Sequence, residues 1–121
     1  MLEAVIATMG WAVSNWLIAG VAPGAHGNEN MTSAPSGAFR AADGLINIAA
    51  NKEEQWQLLA RHIGRDDLLE RPEYRTREDR KVNRLALRAE IEDALQDRPA
   101  RELARELNAL GVPGGLSLIH I

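Results

Sequence analysis

The sequence predicts a small α+β fold: one hairpin with three following helices, preceded by one long apolar helix. Three observations carry this. Asp43-Gly44 stands between two apolar runs, which is a strong short-range hairpin signal. After residue 51, apolar residues recur at helical spacing between capping and stop signals. Residues 2–19 are apolar almost all round, the mark of a helix buried on most faces.

A chain of 121 residues, 45% apolar and 26% charged, is one ordinary domain or a piece of a larger one. A net charge of −3 argues against nucleic acid as the main partner, because phosphate binding needs clustered Lys and Arg. With no cysteine there are no disulfides and no thiolate metal sites, which fits a reducing, cytoplasmic setting. The leading segment MLEAVIATMGWAVSNWLIAGVA lacks the early Lys or Arg of a secretory signal. Thr8, Gly10, Ser14 and Asn15 interrupt the run of about 20 apolar residues that a membrane span needs. The expectation is therefore a buried helix and no membrane.

Residues 20–37, GVAPGAHGNENMTSAPSG, read as a loop longer than an ordinary connector of about 2–6 residues. Long ordered loops tend to be functional; a disordered linker is the alternative. Next come Ala38-Phe39-Arg40 and Leu45-Ile46-Asn47-Ile48-Ala49, the arms of the hairpin. A lone hairpin is marginal in water and must pack on the helices that follow. Asn51 with Glu54 approximates a capping box before Trp56, Leu59 and Ile63, and Gly64 supplies the stop. A polar connection with a break at Pro72 follows. Thr76 and Asp79 then open a helix to about Gln96, with Leu87, Ile91, Ala94 and Leu95 on its apolar side. Pro99 fits a first helical position, and Leu103, Leu107 and Leu110 form the stripe of a last helix ended by Gly111 and Pro113. The final residues 116–121, LSLIHI, match the in-frame translation of a transposon end used in sequencing libraries. They are read as a non-native tail on a truncated reading frame, the alternative being a short apolar strand. The domain reading is residues 1–19 as a helix of a missing large domain, 20–37 as the loop, and 38–115 as a small domain.

Candidate chemistry is sparse. His26, His62 and His120 share no metal-ligand spacing, so no metal is expected. His62 reads as a partly exposed helix residue, and His26 in the glycine-rich loop is the histidine worth a functional role. The mixed charges from Arg61 to Arg88 read as solvated helix faces with weak pairs. Trp11, Trp16 and Trp56 read as packing anchors. The loop glycines let backbone N–H groups approach an anionic or polarised oxygen.

Taken together, GVAPGAHGNENMTSAPSGAFRAADGLINIAANKEEQW, then IGRDDLLERPEYRTREDRKVNR, then LQDRPARELARELNALGVPGG resemble the class III CoA-transferases. That family holds formyl-CoA transferase, the carnitine and bile-acid CoA-transferases and the α-methylacyl-CoA racemases. The telling residues are Gly27-Asn28, Phe39-Arg40 with Ala42-Asp43-Gly44, Ile63-Gly64-Arg65, Asn83-Arg84 and Gly111-Val112-Pro113. The resemblance implies the small domain of an enzyme whose larger Rossmann-like domain grips coenzyme A. It implies acyl-CoA and a carboxylic acid as substrates, no covalently bound cofactor, and a homodimer.

It further implies attack by an Asp carboxylate on the thioester, with the loop around Gly24, Gly27 and Asn28 covering the acyl group. That Asp is expected upstream of Met1, with Glu3 as the candidate inside this chain. Where many relatives follow Gly-Asn and one residue with His-Pro, this chain has Glu29-Asn30-Met31. Two other readings are a racemase of the same family and a non-enzymatic helical interaction module.

Overall fold

The computed structural model describes residues 1–117; His120 and the rest of 118–121 lie outside them. In chain order the elements are α1 (Leu2–Thr8), α2 (Gly10–Ala19), β1 (Ser36–Ala41), β2 (Gly44–Ala49), α3 (Glu53–His62), α4 (Asp67–Glu70), α5 (Arg77–Val82), α6 (Arg84–Leu95), α7 (Ala100–Ala109) and β3 (Gly114–Leu116). A 3₁₀ turn, Pro72–Tyr74, joins α4 to α5.

The hairpin is present, but the sheet has three antiparallel strands in the order β1-β2-β3. Leu116, the first residue of the segment set outside the fold, pairs with Ile46. Ala41 pairs with Gly44, so the turn is Ala42-Asp43, one position earlier than Asp43-Gly44. Neither turn residue has positive φ, as the primed hairpin turns would demand. The turn is held from outside instead. Ala42 N–H donates to Arg98 O at 3.0 Å, and Ala100 N–H donates to Asp43 Oδ1 at 2.7 Å. Asp43 thereby caps α7 across the fold.

Period-2 alternation puts Phe39, Ala41, Ile46 and Ile48 on the inner face, all buried, and leaves Arg40 and Asn47 exposed. α6 packs on β1, and α7 on β2 and β3. Leu87, Ile91, Leu95, Leu103 and Leu107 complete the core, with Trp56, Leu59 and Leu68. At about 1.5–3 kcal/mol per fully buried large apolar side chain, this cluster is the main stabilising term.

Helix ends follow the expected signals with small shifts. α3 starts after Lys52 rather than Asn51, and the side chain that returns to the cap is Gln55, whose Oε1 accepts from Lys52 N–H at 3.0 Å. Gly64 ends it in the left-handed region, φ +73. Thr76 and Asp79 form the reciprocal capping box at 3.1 Å each way. The helix expected from there to Gln96 is two helices, because Asn83 Nδ2 donates to Glu73 O and Asp79 O, both at 3.0 Å, and breaks the run. Pro99 is the N-cap of α7 rather than its first residue.

The single long apolar helix over 2–19 is corrected. It is two helices, α1 and α2, bent by 74° at Met9, and neither has a buried residue. Trp11 is 80% exposed and Trp16 54%, so of the three tryptophans Trp56 alone is a core anchor within this chain. Among the described residues no single helix is long and apolar enough to cross a membrane, although the bent pair passes on length and composition together.

The charge-rich middle is not all solvated surface. Arg80 is 2% exposed. Its Nε donates to Ala34 O at 3.0 Å, Nη1 to Tyr74 O at 3.0 Å and Nη2 to Glu53 Oε2 at 2.7 Å, while the guanidinium lies 5.3 Å from the Trp56 ring centre. A second network ties the connection after α3 to α6: Arg65 Nη2 donates to Glu90 Oε2 at 2.5 Å, Arg71 Nη1 to Glu90 Oε1 at 2.8 Å, and Arg65 Nε to Asp67 Oδ1 at 2.9 Å. Hydrogen bonds from Arg65, then Arg71, hold the Glu90 carboxyl below its usual range; Arg65 does the same to Asp67.

Replacing Arg80 with Met leaves Glu53 and the carbonyl oxygens of Ala34, Tyr74 and Arg75 without their donor; the expected loss, read by urea unfolding, is about 3 kcal/mol. For Glu90 and Asp67 the folded pKa lies below the unfolded one. Their contribution is therefore complete above the unfolded values, 4.5 and 3.8, and is lost as pH falls through the folded ones. Unfolding midpoints should hold from pH 7 to about 5 and drop below that, and Glu90→Gln should flatten the acid limb.

Candidate functional site

The loop of residues 20–35 is anchored unevenly. Its first part runs between Gly20 and Gly27, both in the left-handed region at φ +66 and +58, with Gly24 beside the His26 ring. Its second part is tied to the sheet and helices. Asn30 N–H donates to Ser36 O at 3.0 Å, and Thr32 N–H and Oγ1–H donate to Asn30 Oδ1 at 2.9 and 2.8 Å. Ser33, Ala34 and Ser36 are buried.

Two hollows flank the loop. At the end of the sheet where β1 and β3 begin and β2 ends, a cleft of about 400 Å³ is lined by Asn28, Asn47, Asn108, Gly37, Gly114 and Gly115, among others. Asn108 is committed within it: Nδ2 donates to Gly114 O at 2.6 Å, and Gly114 N–H donates to its Oδ1 at 3.2 Å. On the other side a groove of about 580 Å³ separates α2 from residues 29–32, with Trp11, Asn15, Asn30, Thr32 and Lys81 on its walls. Cavities of this size suit small-molecule ligands.

Of the expected site residues, Gly24, Gly27 and Asn28 lie together on the exposed part of the loop, and Asn28 reaches the amide-lined cleft. Glu3 stands apart on the first turn of α1, exposed, and makes no side-chain hydrogen bond among the described residues. His26 is exposed, with its ring beside Gly24 and its carbonyl accepting from Glu29 N–H at 3.0 Å. His62 is bound to the fold, its Nε2 2.7 Å from Glu106 Oε2, and this contact holds the Glu106 carboxyl below its usual range. Among the described residues no three His, Asp or Glu side chains gather as a metal site.

Sequence reasoning missed Glu29. Its carboxylate forms ion pairs with Arg88 and, at 3.8 Å, with Arg84, whose Nη1 also donates to Asn30 O at 3.1 Å. The signal was available in two places: Arg84 belongs to the Asn83-Arg84 pair, and Glu29 stands where the loop departs from the commoner pattern.

The residues that carry the resemblance prove to be joints of the fold. Asp43 caps α7, Arg65 grips Glu90, Asn83 separates α5 from α6, Arg84 holds the loop, and Val112 is fully buried. Solved structures share this arrangement of helices on a small antiparallel sheet. Rv3272 of M. tuberculosis, in its orthorhombic crystal form, superposes with a TM-score of 0.82 at 30% identity, covering 98% of this chain and 30% of that one. A CAIB/BAIF family protein from Brucella suis superposes with a TM-score of 0.79 at 29% identity, covering 88% and 28%. The chain belongs to CoA-transferase family III, whose sequence profile it matches over residues 1–118.

Acetyl-CoA:oxalate CoA-transferase of Acetobacter aceti is 30% identical over 115 residues, 95% of this chain and 30% of that protein. The probable fatty acyl-CoA transferase Rv3272 of Mycobacterium tuberculosis is 42% identical over 78 residues, 64% of this chain and 20% of its own length. The chain thus spans less than a third of either relative.

Asp43→Ala removes the one side-chain acceptor at the start of α7. Stability should fall by about 1 kcal/mol in thermal or urea unfolding, the usual value of a lost cap. No loss would mean that water replaces the carboxylate.

Proposed function

We propose that the chain is part of an acyl-CoA:carboxylate CoA-transferase, and that residues 36–117 and the preceding loop form the cover over its thioester site. The observation that carries this is the family match over nearly the whole chain, together with curated relatives named as CoA-transferases. In this reading α1 and α2 pack against a larger domain, which accounts for an apolar pair of helices with nothing buried. The full protein works as a homodimer in the cytoplasm.

The chemistry follows from what a thioester and a carboxylate can exchange. An Asp carboxylate attacks the acyl carbonyl, forming a mixed anhydride and releasing CoA thiolate. The thiolate returns to the enzyme carboxyl to give an enzyme thioester, freeing the first acid. The incoming carboxylate then takes the CoA by the same two steps in reverse. Splitting the exchange in this way replaces one hard step with easier ones, and it requires that water be kept from the anhydride. A loop with backbone donors, such as 24–36, is suited to cover it. Glu3 is not read as the nucleophile, because the attacking group in this scheme is an Asp and position 3 is Glu.

The decisive experiment uses the polypeptide of the complete reading frame, with CoA transfer from acetyl-CoA and a longer acyl-CoA to a panel of carboxylates followed by chromatography. Transfer is expected, and its absence with every pair removes this reading. Epimerisation of a 2-methylacyl-CoA without transfer would make the protein a racemase. Glu3→Ala should leave kcat/KM within about twofold, whereas abolished transfer would make Glu3 the nucleophile.

A further inference from the structure

The departure at residues 29–31 raises the question of what replaces the commoner loop sequence. Glu29 is the one carboxylate of the loop, its side chain 19% accessible. It lies between α6 and the sheet. Oε1 is ion-paired with Arg88 Nη2, and Oε2 lies 3.8 Å from Arg84 Nη1. Both arginines are themselves fixed. Arg84 Nε donates to Lys81 O at 3.1 Å, and the Arg88 guanidinium lies 5.9 Å from the centre of the buried Phe39 ring. Below, β1 leaves room only because residue 37 is Gly: a Cβ there would stand 3.1 Å from both Asn28 O and Glu29 Oε1. The neighbouring backbone is fastened by Glu29 N–H to His26 O and Asn30 N–H to Ser36 O, each 3.0 Å.

We propose that Glu29 is the positioning residue of the loop: clasped by Arg84 and Arg88 above Gly37, it fixes Asn28 at the mouth of the amide-lined cleft. The clasp divides the loop into a free arc up to Gly27 and a fixed foot from Asn28 onward. Resting on the reading of the loop as a cover, it also sets how well water is kept from the acyl group. When the foot loosens, water attacks the acyl carbon and CoA leaves with a proton on sulfur. The products are then a free acid and CoA, without transfer.

The test is Glu29→Gln in the protein of the complete reading frame, with the Glu29→Gln/Arg88→Met pair alongside. Amide exchange at Asn30 should quicken by about tenfold in Glu29→Gln, the scale expected for losing one partner of a half-buried ion pair, while Ile91 and Leu95 in α6 keep their protection. The ratio of acyl-CoA hydrolysis to transfer should rise by a similar factor. The double variant should lose no more than the single one, because the two side chains act as a unit. Unchanged exchange and partition, additive losses in the double variant, or equal loss of protection in α6 would each overturn the proposal. A wild-type protein without transfer would remove the function proposed above, yet the exchange comparison would still decide whether Glu29 holds the loop.

Discussion

The guanidinium of Arg80 is a full positive charge in a place where water does not reach, and such a group is tolerated only with every proton engaged. Its partners come from three separate stretches: Ala34 at the end of the loop, Tyr74 in the 3₁₀ turn, and Glu53 at the start of α3, with Trp56 beneath it. The constraint runs both ways. Those three stretches have to arrive together for the charge to be buried, and once buried it forbids them to drift apart. Because one of them is the foot of the loop, the most deeply held charge in the chain also determines where the candidate site begins.

From that point the loop is organised by charge rather than by apolar contact. The Glu29 clasp and the Asn30 bonds extend the fixed region outward from Ala34, and it stops at Asn28. What lies beyond, up to Gly20, is held at its two ends by left-handed glycines. This graded anchoring keeps one side of the segment in register with the sheet and leaves the other held only at its ends. It also shows what the residues of the family resemblance do within this chain: Asp43, Arg65, Asn83 and Arg84 preserve the angles between elements.

What could be read from the amino acids was whatever is decided locally. The hairpin arms around Phe39 and Ile46, the stop at Gly64 and the Thr76–Asp79 box all depend on neighbours within a few positions, and each stands where expected. The break at Asn83 was not legible, because its cause is a carbonyl ten residues away. The third strand was hidden for a different reason, since three residues containing two glycines carry no pattern of their own and pair only because β2 offers an edge. Arg80 was indistinguishable from its solvated neighbours, as burial of a charge is settled by distant acceptors. For the loop, composition marked a long glycine-rich segment, but it could not tell the clasped half from the free one.

The order of the strands has a consequence for synthesis. The central strand is complete by residue 49, yet one of its edges is filled by residues 114–116, so the sheet closes only when nearly the whole described chain has left the ribosome. Until then the nascent chain carries an open hydrogen-bonding edge together with the apolar α1 and α2. The sheet therefore cannot be completed by early, stepwise accretion along the chain.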